Sequence, residues 1–250
     1  TYKKKKIGVI VVSSAMSGTT NQLIKQTKEL SKNFDAAEYD VLLATGEQAA
    51  CALIAGRLKH LGFKARSWMS WQVPILTEGS YGSSRINKIN KNKIIDFLKS
   101  DGIPVITGFQ GVNLENRVTT LGRGGTDASA IMLAKFFNAD ACYIYTDVDG
   151  VYTTDPRNHA KAKKLDKISY DEMLEMASLG AKVMQPTSVQ DAKLNNISFS
   201  VKSSLVKKKA TLITVNKKAF TNQTITSLLY TFPSPRDSRT TRIPSSPSKK

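Results

Sequence analysis

The residues best suited to chemistry form a Gly-rich turn, TTLGRGGTD, at Thr119–Asp127. Its three glycines permit a sharp turn and a close approach of the backbone to a ligand. The turn leads into an Ala-rich helical pattern, and the free N–H groups at a helix start favour an anion. Arg123 can grip a carboxylate or a phosphate with two hydrogen bonds. Spacing alone leaves an ordinary turn, with Thr126 or Asp127 as the helix cap, equally open.

A second polar cluster, TDVDGVYTTDPR, covers Thr146–Arg157 and follows an apolar run. Thr146 and Asp147 would lie at the carboxyl end of a strand, where the ribose or base of a nucleotide can be contacted. Tyr152 offers a ring for stacking, and Arg157 offers a fixed positive charge for a phosphate. A long acidic turn without a ligand is the alternative that these residues leave open.

Three shorter segments have similar potential. Hydroxyl groups and a glycine in SSAMSGTTN, at Ser13–Asn21, suit an anion at a helix start. In the segment TGE, Glu47 is predicted to open a helix after a strand, where it could bind an ammonium group. In GAKV, at Gly180–Val183, Lys182 could bind a phosphate. Each segment has an alternative without a ligand. Ser13–Asn21 could be an ordinary capped loop, Glu47 could only interact with the helix dipole, and Lys182 could be a solvated cation.

Apolar, β-branched runs alternate with helical patterns along the chain. Predicted strands lie at Ile7–Val12, Val41–Leu43, Phe63–Trp68, Val73–Leu76, Pro104–Thr107, Ala141–Tyr145, Phe199–Val201 and Thr211–Val215. Predicted helices lie at Leu23–Leu30, Gln48–Leu61, Ile94–Lys99, Ala128–Phe137 and Ser169–Ser178, the last opening with a capping-box sequence. This alternation indicates βαβ units on a mostly parallel sheet, whose ligands bind beyond the carboxyl ends of the strands. The site should therefore lie in the loops after Val12, Leu43, Thr107 and Tyr145.

Composition narrows the class of protein. The chain has 250 residues, 40% of them hydrophobic, which suffices for one large α/β domain or two small ones. Cys51 and Cys142 show neither metal-ligand nor disulfide spacing, which favours the reducing cytoplasm. No run approaches the ~20 apolar residues of a membrane span. The net charge of +17 comes largely from scattered and terminal lysines without interleaved aromatic residues, so nucleic acid is not an expected partner.

The order of the motifs is more specific than any one of them. VVSSAMSGTTN, TGE, TGFQG, TTLGRGGTDASA, TDVDGVYTTDPR and SLGAKV follow one another along the chain. In this order they strongly resemble the aspartate kinase branch of the amino-acid kinase family. The resemblance extends from about Ile7 to Val215. It implies a three-layer αβα sandwich with a mostly parallel central sheet, and a catalytic domain over residues 1–220. Residues 221–250 are predicted to form a disordered tail.

This resemblance implies transfer of the γ-phosphoryl group of ATP to the side-chain carboxylate of L-aspartate, the first step toward lysine, threonine, methionine and diaminopimelate. It assigns aspartate to Thr20, Glu47, Arg123, Gly124, Gly125 and Thr126, with Glu47 on the ammonium group. It assigns the nucleotide to Ser14, Gly18, Thr146, Asp147, Tyr152, Arg157, Lys182 and Val183. Asp127 and Arg123 are the implied catalytic residues, with Asp127 organising catalytic lysines rather than acting as a base. Mg²⁺ is expected to arrive with ATP, without a metal site on the protein.

Departures from the family pattern give further expectations. Family members begin with a strand carrying Lys-Phe/Tyr-Gly-Gly, whose lysine contacts the transferred phosphoryl group, and no such motif precedes Ile7. The resemblance thus predicts an N-terminally incomplete domain, whose rate would fall by about 10²–10³ without that cation. No regulatory ACT domains are expected after Val215. An inactive ATP- or amino-acid-binding remnant and another kinase of the same fold are the alternatives. A homodimer is a candidate assembly.

Overall fold

A computed structural model describes residues 7–156, 158–181 and 183–215. Its strands are β1 Val11–Ser13, β2 Ala65–Trp68, β3 Ile75–Glu78, β4 Arg85–Ile89, β5 Ile103–Thr107, β6 Gln110–Val112, β7 Val118–Thr120, β8 Tyr143–Thr146, β9 Lys167–Ser169, β10 Phe199–Ser203 and β11 Thr211–Thr214. Its helices are α1 Thr19–Leu30, α2 Ala36–His60, α3 Asn92–Lys99, α4 Gly125–Phe136, α5 Tyr170–Ser178 and α6 Pro186–Leu194. The predicted nucleotide ligands Arg157 and Lys182, and the predicted tail 221–250, lie outside the described residues.

These strands are distributed over three sheets. The first is parallel, in the order β1-β5-β2. The second has the order β8-β10-β11-β9 and is parallel except for the β10–β11 pair. The third, β4-β3-β6-β7, is antiparallel except at β3–β6. The predicted α/β class, with parallel strands flanked by helices, is confirmed, although the strands are hydrogen-bonded in three sheets rather than in one.

Helix α4 joins two hydrophobic cores. Leu133 packs with residues of the first and third sheets, among them Trp68 and Ile106. Ile131 packs instead with the core around the second sheet, which includes Phe199. Because α4 begins at the Gly-rich turn and is buried against both cores, it fixes the position of that turn relative to both halves of the fold.

The predicted strand at Val41–Leu43 is wrong. These residues lie inside the single 25-residue helix α2, which also includes the segment predicted to start at Gln48. Asp35 starts the helix, because its carboxylate accepts hydrogen bonds from the amides of Ala37 and Glu38 at 2.9 and 3.0 Å. Within this run Leu43 is buried, Leu42 is partly buried and Val41 is exposed, because successive residues of a helix face different directions. As a consequence, Glu47 lies in the middle of α2 and not at its start.

In the described part of the chain, α2 is the one helix whose length and composition would suit a membrane span. It packs against β2, β5 and β7, and it carries two buried carboxylates, Asp40 and Glu47. Ionisable side chains are costly in lipid. We therefore assign α2 to the core of the α/β fold.

Most of the polar segment between β3 and α3 forms a hairpin with β3. Its strand β4 pairs antiparallel with β3, with Thr77 opposite Ile86. Gly79 and Gly82 adopt positive φ angles in the connecting loop, where glycine is favoured. The polar composition reflects a strand that is largely exposed: Arg85, Asn87 and Lys88 are exposed, whereas Ile86 is partly buried and Ile89 is buried.

The predicted capping box is confirmed at the start of α5. Ser169 Oγ accepts a hydrogen bond from Glu172 N at 3.2 Å, and Glu172 Oε2 accepts one from Ser169 N at 3.0 Å. Two otherwise unpaired helix-terminal donors are thereby satisfied. This element could be predicted well because the contact spans only three residues.

Candidate functional site

Three loops meet at the carboxyl end of the first sheet. Gly108, just after β5, donates a hydrogen bond from its amide to Ser13 O, at the end of β1, over 3.0 Å. A Cβ atom added to Gly108 would lie 2.7 Å from Thr126 Cγ2 and 3.0 Å from Ser13 O. Only glycine permits this close approach. The loops after β1 and β5 and the start of α4 therefore form one site, as the parallel topology predicts.

Glu47 reaches this site from α2. Its Oε1 accepts a hydrogen bond from Ala15 N at 3.2 Å, in the loop after β1. The side chain is buried, and Oε2 has no hydrogen-bond partner among the described residues. Burial raises the pKa of Glu47 from its ordinary 4.5 to about 7, against the opposing hydrogen bond from Ala15. A buried carboxylate oxygen without a donor favours a cationic ligand with N–H groups.

Gly46 explains how α2 comes so close to this loop. A Cβ atom at this position would lie 3.0 Å from Ala15 Cβ and 3.3 Å from Thr19 Cγ2. A glycine inside a helix costs roughly 1 kcal/mol relative to alanine. It is needed at this position because a larger residue would keep α2 away from the loop. Thr20, a predicted aspartate ligand, lies in the first turn of α1 beside this contact. Ser14 and Gly18 are exposed in the preceding loop.

The Gly-rich turn supplies unpaired donors. Gly124 is the N-cap of α4, with a left-handed φ of 75° and no side-chain cap. Within the described ranges, the amides of Thr126 and Asp127 donate to no other group, since the first hydrogen bond of the helix runs from Ala128 N to Gly124 O. The side chain of Arg123 is exposed at the turn. Free amides, the helix dipole and a guanidinium together suit a carboxylate or a phosphate.

Helix α6 supports the turn from the other side. Ser188 Oγ donates to Gly124 O at 2.9 Å, and a Cβ atom on Gly124 would lie 2.6 Å from Gln185 Cβ. Gln185 follows two residues after Val183, a predicted nucleotide ligand that packs against the second core. The fold thus brings the chain just after the GAKV segment against the Gly-rich turn.

We expect Gly124→Ala to lower the free energy of unfolding by about 2–4 kcal/mol, because the alanine would combine left-handed strain with overlap against Gln185. Gly18→Ala is the matched control. Gly18 also caps a helix at a φ of 82°, but nothing lies within 4 Å of the added Cβ. Its loss should be limited to strain, about 1–2 kcal/mol. Urea unfolding measures both; equal losses would show that the packing against α6 contributes nothing.

Asp127 is a second carboxylate with a perturbed pKa at this site. Burial raises the pKa of Asp127 from its ordinary 3.8 to about 6. No hydrogen bond or ion pair to its carboxylate occurs among the described residues. Its charge, after burial itself, contributes to raising the pKa of Cys142, which immediately precedes β8, to about 11. Asp127 therefore lies near the second sheet as a half-buried acid that lacks a cation within the described ranges.

Three of the predicted nucleotide residues, Thr146, Asp147 and Tyr152, lie at the end of β8 and in the loop after it. Thr146 Oγ1 donates to Asp147 Oδ1 at 3.0 Å. The hydroxyl of Tyr152 donates to Asp149 Oδ1 at 2.9 Å, and Lys208 Nζ lies 2.9 Å from Asp149 Oδ2. Burial opposes ionisation of Asp149, but the hydrogen bonds from Lys208 and Tyr152 hold its pKa below the usual range. Asp149 lies inside the polar segment Thr146–Arg157, and its partner Lys208 is remote in sequence.

The structure thus brings Glu47 and the Gly-rich turn to one group of loops, through the contacts of Ala15, Ser13 and Gly108. Thr20 lies in the first turn of α1, next to Thr19, which approaches Gly46. Within the described residues, no hydrogen bond links the cluster at Thr146–Tyr152 to the Gly-rich turn. Sequence reasoning missed Asp40, which contacts the Gly-rich turn from α2. Asp40 carries no motif signal, because it acts through a contact that is distant in sequence. Ser13 belongs to the segment SSAMSGTTN, but its contact with Gly108 runs through its backbone carbonyl, which residue type does not reveal.

Comparison with known proteins identifies the family of this chain. The amino acid kinase family profile matches residues 1–203. An aspartate kinase of Stutzerimonas stutzeri is 46% identical over 219 residues, which cover 88% of this chain and 53% of that protein. Aspartokinase 2 of Bacillus subtilis is 44% identical over 211 residues, covering 84% of this chain and 52% of the relative. The chain spans about half the length of the curated relatives it matches.

Solved structures show the same similarity. The aspartate kinase of Synechocystis superposes with a TM-score of 0.74 and 39% identity, over 86% of this chain and 36% of that one. E. coli aspartokinase III in complex with aspartate and ADP superposes with a TM-score of 0.73 and 25% identity, over 84% of this chain and 58% of that one. The ordered motifs, the fold and these matches together show that the chain belongs to the amino acid kinase family.

Proposed function

We propose that this chain forms the aspartate- and ATP-binding part of an aspartate kinase, which phosphorylates the side-chain carboxylate of L-aspartate. The observation that supports this most directly is the buried carboxylate of Glu47, whose Oε2 has no donor among the described residues. The ammonium group of an amino acid would supply that donor and the compensating charge. Relatives named aspartate kinase, and one such enzyme solved with aspartate and ADP, support the choice of substrate.

In this proposal the amino-acid substrate is held at both ends. Glu47 binds the ammonium group from α2. Arg123 and the free first-turn amides of α4 bind a carboxylate, with Thr20, Gly124, Gly125 and Thr126 completing the pocket wall. The acceptor carboxylate is already ionised at pH 7, so no general base is needed. The protein therefore contributes alignment of the two substrates and neutralisation of charge.

For the nucleotide we propose Ser14, Gly18, Thr146, Asp147, Tyr152 and Val183, together with Arg157 and Lys182, which lie outside the described residues. The location at the carboxyl end of β8, and the packing of the turn against the chain just after Val183, support this assignment. Mg²⁺ in such sites is held by phosphates and one or two carboxylates. The described residues contain no group of three or more metal-ligating side chains, whereas Asp127 fits as a single carboxylate. The ion would neutralise charge on the transferring phosphoryl group.

An ADP-release assay on the 250-residue chain, with a panel of acceptors, tests the proposal. We expect ADP release that depends on L-aspartate and is at background with L-glutamate or a nucleoside monophosphate. Release with one of the other acceptors would contradict the proposed substrate. The alternative is that the chain binds both ligands without turnover. Asp127 supports it, because this carboxylate has no cation partner within the described ranges. Calorimetric binding of ATP and aspartate with background ADP release would establish it.

A role in the biosynthesis of lysine, threonine, methionine and diaminopimelate is part of the same proposal, because 4-phospho-L-aspartate would be the product. We also propose a cytoplasmic location. Support comes from Cys51 and Cys142, which are both buried as free thiols. A lysine and threonine requirement that appears on deletion of the gene, in a host without another aspartate kinase, would test the metabolic role.

A further inference from the structure

We propose that Asp40 is a positioning residue that holds the Gly-rich turn at the spacing from Glu47 that fits L-aspartate. The inference rests on the proposed function, since it concerns how the amino-acid site is kept in shape. Asp40 lies on α2 and is completely buried. A fully buried carboxylate is rare unless its oxygens are satisfied, so its partners indicate why it is there.

Three donors from two other elements satisfy this carboxylate. Oδ2 of Asp40 accepts hydrogen bonds from Gly82 N at 2.9 Å and from Thr120 N at 2.7 Å. Oδ1 accepts one from Thr120 Oγ1 at 2.7 Å. Gly82 belongs to the hairpin loop between β3 and β4, and Thr120 ends β7 within the Gly-rich turn. Hydrogen bonds to an ionised acceptor are roughly twice as strong as neutral ones, so Asp40 ties both segments firmly to α2.

The hairpin loop and the turn also touch each other directly. Ser84 N donates to Thr120 O at 3.0 Å. A Cβ atom on Gly122, which has a φ of 75°, would lie 2.9 Å from Gly82 O. The backbone of the hairpin loop therefore forms a wall against Gly122, the residue that precedes Arg123. Any shift of Gly82 or Thr120 would move the backbone that carries Arg123.

Helix α2 thus sets the position of both ends of the amino-acid site. Asp40 and Glu47 are seven residues apart on α2, about two turns and roughly 10 Å along the axis. Glu47 would bind the ammonium group, while Asp40 sets the position of the turn that would bind a carboxylate. A helix is stiff over two turns, so this spacing would distinguish L-aspartate from L-glutamate, which is one methylene longer. Loosening the turn should therefore reduce selectivity and not affinity alone.

Asp40→Asn tests this proposal in the 250-residue chain. The asparagine keeps the shape but replaces one acceptor oxygen with a donor amide. We expect hydrogen exchange at the amides of Gly82 and Thr120 to become at least about 10-fold faster, and the Kd for L-aspartate to rise about 10- to 100-fold. The Kd for ATP should change less than about twofold, and the preference for L-aspartate over L-glutamate should fall. Calorimetry and exchange mass spectrometry supply these readouts.

Matched variants separate positioning from folding. Thr120→Val removes one donor to Asp40 and should reproduce part of the loss of aspartate affinity expected for Asp40→Asn. Thr120→Ser keeps the hydroxyl group and should bind L-aspartate as tightly as the unsubstituted chain. This pair also tests the proposal if Asp40→Asn does not fold. Glu38→Gln lies on the same helix and removes an exposed ion pair with Arg117, whose atoms are 2.7 Å apart. It should leave aspartate binding and selectivity unchanged.

Equal loss of ATP and aspartate affinity in Asp40→Asn, with unchanged selectivity, would overturn the positioning role in favour of a purely structural one. Unchanged exchange at Gly82 and Thr120 would overturn it as well. If the unsubstituted chain binds no aspartate, the proposed function fails, and the exchange rates alone then decide whether Asp40 holds the turn. The two failures are therefore distinguishable.

Discussion

Glu47→Gln is expected to weaken binding of L-aspartate by about 10²–10³-fold and to change ATP binding by less than about twofold. The glutamine fits the same space and can still accept the hydrogen bond from Ala15 N. It cannot balance the charge of an ammonium group, however, and its amide would present donors to another donor. Isothermal calorimetry with each ligand measures both effects. A loss below about threefold for aspartate would show that the ammonium group binds elsewhere.

Glu38→Gln provides the control for this substitution, because Glu38 lies on the same helix with an exposed ion pair and makes no contact with the site. It should leave the Kd for aspartate unchanged. A similar loss in both variants would indicate a general disturbance of α2 and would contradict the role of Glu47.

The raised pKa of Glu47 predicts the pH dependence of binding. An ammonium ligand favours the ionised carboxylate, so aspartate binding should release a proton between about pH 6 and 7 and should tighten as the pH rises through about 7. Stability changes in the opposite direction. The pKa of Glu47 is raised from 4.5 on folding, so its protonated carboxyl group contributes to the stability of the folded state. This contribution is complete below about pH 4.5 and is lost as the pH rises through about 7. Calorimetry in two buffers of different ionisation enthalpy measures the proton, which should be absent in Glu47→Gln.

Asp127→Asn is expected to make the protein more stable and less active. At pH 8 the half-buried carboxylate is ionised, and it has no partner in the described ranges. Its pKa of about 6, against an ordinary 3.8, corresponds to at most about 3 kcal/mol of destabilisation, and we expect a gain of about 1–3 kcal/mol in the variant. Aspartate-dependent ADP release should fall by about 10²-fold or more if Asp127 organises cations at the phosphoryl group.

The sign of this effect can be checked by pH. The stabilisation from a carboxyl group with a raised pKa is complete below about pH 3.8 and is lost as the pH rises through about 6. The advantage of Asp127→Asn should therefore be present at pH 8 and absent near pH 3.5 in thermal unfolding. Asp191→Asn, on α6, is the control, because burial also raises the pKa of Asp191. It should leave ADP release unchanged. A variant of Asp127 that is less stable at pH 8 would contradict the account.

Local features were predictable because the interactions that produce them are short. The capping box of α5 joins residues three apart, and the Gly-rich turn leads directly into α4. The strand predicted at Val41–Leu43 failed for the converse reason. A short apolar run suits a buried strand and a buried helix stripe equally, and only the packing of α2 against β2, β5 and β7 selects the helix.

The sequence alone determined the chemical types of the site residues and their order along the chain, which suffice to identify the amino acid kinase family. Tertiary structure decided which of them meet. Ala15 and Glu47 are 32 residues apart, and Asp40 and Thr120 are 80 apart, so no periodicity or spacing links them. Burial also depends on the fold. The carboxylates of Glu47 and Asp127 have raised pKa values because neighbouring elements exclude water from them, and that exclusion exists only once the loops have met.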